Sequence, residues 1–177
     1  MISIAPEVLL ADAQEMHLIL STAECLERHA NITLGTLAEI LTALSTDGKL
    51  AEPNRKGFDV ISPAYGRIEV KSRVLGTDGA FPRISLSPNK IDGADHFMAV
   101  RWDQHSKLCF AIMLPKASIL PLYQARLQRS GNIAHLHWDD WLAARDAVDF
   151  TDQFQELLSI DASSFRKSSI QLEPQAK

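Results

Sequence analysis

Asp59, Glu69 and Lys71 are the residues of this chain whose types and spacing could do hydrolytic chemistry. They stand in two runs, Gly57-Phe-Asp-Val-Ile61 and Arg67-Ile-Glu-Val-Lys-Ser-Arg73, joined by Ser62-Pro-Ala-Tyr-Gly66. Phe58, Val60 and Ile61, then Ile68 and Val70, are apolar and partly β-branched, as strands require, and the joining residues are turn formers. The pattern predicts a hairpin. Strand side chains alternate, so Glu69 and Lys71 share one face while Ile68 and Val70 point into a core. A five-residue loop over 62–66 has residue 64 at its midpoint and sets Asp59 directly across from Glu69. Two carboxylates at cross-strand distance repel each other, and a divalent cation removes the conflict. Hard ions such as Mg²⁺ take one or two carboxylates together with waters and phosphate oxygens. Lys71 beside them would orient or deprotonate an attacking water, or balance charge developing on a phosphate. This is equipment for phosphodiester hydrolysis.

Asp59, nine intervening residues and then Glu69-Val70-Lys71 resemble the PD-(D/E)xK nuclease superfamily, with Phe58 where the family's name-giving proline stands. The similarity extends to Asp95-His-Phe-Met-Ala-Val-Arg-Trp-Asp103 and Lys107-Leu-Cys-Phe-Ala-Ile-Met-Leu-Pro115, an apolar strand introduced by an aspartate and its successor. The resemblance implies an α/β (α+β) fold with a restriction-endonuclease-like core: a helix, a three-stranded hairpin sheet, a second helix and a further strand, in a central mixed sheet flanked by helices. It implies an acid on the preceding helix, here Glu39 in Thr36-Leu-Ala-Glu-Ile-Leu-Thr-Ala-Leu44. It further implies a Mg²⁺- or Mn²⁺-dependent endodeoxyribonuclease in which Asp59, Glu69 and the Val70 carbonyl hold the ion, Glu39 adds a contact through water, and Lys71 positions the nucleophile. DNA is the implied partner, and by analogy a second copy of the chain or a targeting subunit. A catalytically silent member of the same fold, binding nucleic acid or protein, is the rival expectation.

The chain has 177 residues and a net charge of −4, which argues against coating nucleic acid by bulk electrostatics. Its distribution is uneven. Residues 55–90 carry seven basic side chains (Arg55, Lys56, Arg67, Lys71, Arg73, Arg83, Lys90) against three acidic ones, a local +4. Such a strip around a carboxylate pair suits a phosphate backbone, with Arg55, Lys56, Arg67, Ser72 and Arg73 as candidate contacts. Length and composition predict one domain over residues 1–162 and a polar, flexible tail over 163–177. No apolar run reaches the roughly 18 residues of a membrane span, and no signal segment is evident. Cys25 and Cys109, far apart in apolar surroundings, read as reduced thiols of a cytoplasmic protein.

Helical spacing predicts an amphipathic helix from Asp12 to about Ala30, and a second from Asn31 or Thr33 whose buried face carries Leu34, Leu37, Ile40, Leu41 and Leu44, stopped by Asp47-Gly48. Two helices and a hairpin also begin a winged helix-turn-helix, with Thr33 to Leu44 supporting or recognising DNA and Arg55-Lys56 on a wing. The strands expected after residue 75 count against that reading. Further expectations are a strand over 83–87 running into a brief helix near Pro88, a short helix within 115–130, and an acidic helix from Trp138 to Ala147. His135 and His137, two apart, lack the third ligand that a zinc site needs.

Overall fold

The computed structural model describes residues 33–52, 57–76, 82–128 and 133–160. The expected Asp12–Ala30 helix, the 163–177 tail, Cys25, Arg55 and Lys56 lie outside them. Thr33 starts helix α1 (Leu34–Ser45), its hydroxyl accepting the Thr36 N–H at 3.1 Å. A side-chain oxygen there satisfies a backbone donor that the helix itself leaves open. Ala38, Leu41, Thr42 and Ala43 form the buried side. Leu44, expected among them, is 57 % exposed. The buried stripe runs along smaller residues, and the Thr42 hydroxyl is accommodated because it donates to the Ala38 carbonyl at 2.7 Å.

Strands β1 (Lys49–Leu50), β2 (Val60–Ser62) and β3 (Gly66–Val74) follow as an antiparallel run. β4 (Ile84–Leu86) and helix α2 (Pro88–Gly93) then lead to β5 (His96–Trp102), which pairs with β3 in parallel. β6 (Leu108–Pro115), helix α3 (Lys116–Ala125), β7 (Ala134–Leu136), helix α4 (Trp138–Leu142), β8 (Val148–Asp149) and helix α5 (Thr151–Ser159) complete the described chain. The main sheet is mixed, in the order β1-β2-β3-β5-β6-β8, and β4 pairs with β7 in a separate two-stranded sheet. The protein is therefore of mixed α and β class, a multistranded sheet flanked by helices. The acidic helix expected to reach Ala147 ends at Leu142, because residues 143–147 turn to bring Val148 onto the β6 edge. Among the described residues no helix is long and apolar enough to cross a membrane.

Both faces of the main sheet are covered. Val60, Ile68, Val70, Met98, Val100, Trp102 and Met113 pack with Ala38 and Leu41 of α1 and Phe154 of α5. On the other face Phe97, Ala99, Ile112 and Leu114 pack beneath Ile84, Leu86, Ile91, Ile119 and Trp141. Alternation assigns Glu69 and Lys71, the register partners of Phe97 and Ala99, to this second face. The middle of β3, Ile68 to Val70, is thus buried on both sides, as parallel pairing with covering crossover elements requires.

Asp95 locks the start of β5 to the start of β3. Its carboxylate accepts from the Arg67 backbone N–H at 2.9 Å and from the guanidinium at 3.0 and 3.1 Å. Gly66 makes room for it, since a Cβ there would lie 2.7 Å from Asp95 Oδ2 and φ is +67°. The Arg67 guanidinium, then the Arg67 N–H, hold the Asp95 carboxyl at about 2 against its ordinary 3.8. A depressed carboxyl stabilises the fold above its unfolded pKa and loses that contribution as pH falls through the folded one. The stability difference between wild type and Asp95→Asn is accordingly expected to be full above pH 3.8 and to vanish toward pH 2. Urea unfolding of both proteins across that range checks it, and a difference that persists at the acid end would contradict it.

Candidate functional site

The β2–β3 ladder pairs Ser62 with Gly66, Ile61 with Arg67 and Val60 with Ile68, a register centred on residue 64. At Asp59 the chain leaves the ladder. Its N–H donates to the Ile68 carbonyl at 2.9 Å and its own carbonyl accepts from Ala51 at 2.8 Å. Its carboxylate bends to the edge of β3, where Oδ2 accepts the Val70 N–H at 2.7 Å. The side chain thereby stands in for a strand partner. Because the N–H and C=O of one strand residue project to the same edge, the Val70 carbonyl faces this side too.

Glu69 is fully buried, and each of its carboxylate oxygens meets an ammonium. Oε1 accepts from Lys71 and Oε2 accepts from Lys90 of α2 at 2.7 Å. Lys90 Nζ also lies 3.9 Å from Asp59 Oδ1. Burial, then the charge of Asp59, push the Glu69 carboxyl up despite both lysines. Glu39, half-buried on α1, is raised by burial first and then by Asp59 and Glu69, with Lys90 and Lys71 opposing. Burial pulls Lys90 down, yet its bond to Glu69 and the charges of Asp59, Glu69 and Glu39 outweigh that and leave it raised. Three carboxylates and two ammoniums thus share one electrostatic neighbourhood with a net charge of about −1.

This donor set is all oxygen, two carboxylates and a strand-edge carbonyl, and it fits a hard divalent ion that keeps several waters. Among the described residues no group of three or more His, Cys, Asp or Glu side chains could hold a metal ion by itself. Glu39 comes from α1, and the charges of Asp59, Glu69, Lys90 and Lys71 all act on it.

The candidate nucleic-acid contacts divide. Arg73 is exposed on the face of Lys71, with its guanidinium donating to the Ser72 carbonyl at 2.8 Å. Arg67 is committed to Asp95 at the far end of β3. Ser72 is turned away from the site, where its hydroxyl donates to the Leu34 carbonyl at 3.1 Å and accepts from Trp102 Nε1 at 2.8 Å. It ties α1 to β3 and β5. His135 bonds to Ser85 at 2.9 Å across β4 and β7.

Sequence reasoning missed two basic residues. Lys90 was legible only as one charge in the basic strip, and its position inside Ser87-Pro-Asn-Lys90, at the head of a helix after a strand, was the available signal. Arg101, opposite Arg73, is fully buried with its guanidinium 4.7 Å from the centroid of the Trp138 ring. Burial, then the charge of Arg73, bring it down to about 10. Nothing in the alternating apolar run of β5 distinguishes it from a solvated arginine. Set against protein-family models and curated proteins, the chain matches none.

Proposed function

We propose that this protein is a metal-dependent nuclease that hydrolyses phosphodiester bonds of DNA, built on a restriction-endonuclease-like core. The observation that carries the reading is the buried Glu69 carboxylate, placed at the edge of β3 beside Asp59 and bridged to two lysines. A fully buried acid in a five-charge cluster is expensive as structure alone and is the arrangement expected at a reactive centre. The order of elements supports the finer fold: α1, the antiparallel β1-β2-β3, then β4 and α2, then β5 parallel to β3. A winged-helix module is disfavoured, because α1 lies on a sheet that continues through β5, β6 and β8.

Asp59 and Glu69, with the Val70 carbonyl, are the groups that would hold Mg²⁺ or Mn²⁺. When bound, the ion polarises the phosphate and makes its water more acidic. Lys71, anchored on Glu69 Oε1, orients the nucleophilic water and offsets negative charge growing on the phosphate oxygens. Arg73, exposed on the same face, would take up the adjoining backbone phosphate. The basic strip supplies the attraction for the strand.

Incubation with linear duplex, circular duplex and single-stranded DNA in Mg²⁺, Mn²⁺ or EDTA tests the reading. Cleavage of at least one substrate that requires the divalent ion is expected. Cleavage undiminished by EDTA would overturn the assignment. The second reading, an inert module of the same fold, is favoured by the fact that both Glu69 oxygens are already neutralised by lysine. It predicts no divalent-ion stabilisation in a thermal melt and no cleavage.

A further inference from the structure

Lys90 is the ammonium of the site that the proposed chemistry does not use. It is carried by α2, which crosses from β4 to β5, and its Nζ lies 2.7 Å from Glu69 Oε2 and 3.9 Å from Asp59 Oδ1. These are the two carboxylates that would hold the divalent ion, and Lys90 stands between them. Lys71 occupies only Oε1 and leaves Oε2 to whichever cation competes best. An ammonium and a divalent ion cannot both rest against the same pair of oxygens, because at about 3–4 Å their repulsion is several kcal/mol even at the effective dielectric of a protein surface. The lysine stem is flexible, and the side chain is 28 % exposed, so an outward route to solvent exists.

We infer that the Lys90 ammonium is a built-in occupant of the divalent-ion position, held between Glu69 Oε2 and Asp59 Oδ1, and that the ion enters by displacing it. The inference rests on the divalent-ion reading of the site. In the ion-free protein the tethered cation relieves the repulsion between the two acids and lets Glu69 remain buried. In the ion-bound protein the freed ammonium points outward on the side from which a phosphate would approach. Ion affinity is then the outcome of a competition written into the chain.

Mn²⁺ titration by calorimetry on the whole protein, with Lys90→Gln and Lys71→Gln beside wild type, measures the competition. Removing the competitor is expected to tighten Mn²⁺ binding about tenfold. Lys71→Gln removes an equal charge from the other oxygen and is expected to tighten it much less. Equal tightening in the two variants would reduce Lys90 to a contribution to the local field, and no tightening in Lys90→Gln would also overturn the inference. Because either variant could fold poorly, wild type supplies a second readout: acetylation of surface amines followed by mass spectrometry, with and without Mg²⁺. Labelling of Lys90 should rise severalfold on adding Mg²⁺ while that of Lys116 stays constant; unchanged or reduced labelling of Lys90 would overturn displacement. Mn²⁺ binding of equal affinity in wild type and Lys90→Gln sinks the displacement alone. No Mn²⁺ binding by any of the three proteins sinks both it and the divalent-ion reading.

Discussion

Lys71→Ala is expected to lower divalent-ion-dependent cleavage of DNA by about 10²–10⁴-fold, the range over which a positioned proton-transfer or charge-balancing group acts. The loss should fall on kcat, since Lys71 is partly buried beside Glu69 and only 18 % exposed, too recessed to provide much of the binding to a long polyanion. Folding is expected to survive. Glu69 keeps Lys90 on its second oxygen at 2.7 Å, so the buried carboxylate is not left without a counter-charge. The stability cost is therefore that of one charged hydrogen bond, about 1.5–3 kcal/mol. Single-turnover cleavage and urea unfolding on the same preparation separate the two effects. Full activity in a folded Lys71→Ala protein would remove the lysine from the chemistry.

How much of this arrangement could be read from the residues depends on how local its causes are. The hairpin was legible because its determinants are contiguous: β-branched residues on both arms, a Ser-Pro-Ala-Tyr-Gly turn, and alternation that fixes Glu69 and Lys71 to one face. The observed pairing of Val60 with Ile68 follows from that turn. The start of α1 was legible to within two residues, Thr33 being one of the two beginnings the helical spacing allows; that its hydroxyl caps the helix by accepting the Thr36 N–H decides between them. Burial of Glu69 was not legible. It depends on β5 pairing in parallel with β3 after a crossover, and on α2 settling over that face, both set by contacts distant in sequence. The same distance concealed Lys90, 21 residues beyond Glu69. Ser72 was misassigned because adjacency to Lys71 says nothing about facing: as the next residue on a strand it must point the other way, toward Leu34 and Trp102. Arg67 does share the face, but its bidentate partner Asp95 lies 28 residues on.

Glu69→Gln and Asp59→Asn should both abolish ion-dependent cleavage yet differ sharply in stability, because the two acids do different structural work. Glu69 is fully buried and each oxygen meets an ammonium. Its amide analogue neutralises neither lysine and turns a donor toward one of them, leaving two partly buried cations facing each other. Removing one member of a buried charge cluster in this way typically costs about 3–5 kcal/mol, and the partial exposure of both lysines places the expected loss near the lower bound. Asp59, by contrast, makes its closest contact through one oxygen, which accepts the Val70 N–H at 2.7 Å, and an asparagine oxygen can do the same. Its approach to Lys90 is 3.9 Å, weak and accessible to solvent, so Asp59→Asn is expected to cost less than about 1 kcal/mol. Urea unfolding in EDTA measures both without interference from divalent ions. Equal stability of the two variants would mean that Glu69 does not hold the lysines together in the ion-free protein, and the electrostatic account of the site would fail at its centre even if cleavage were lost in both.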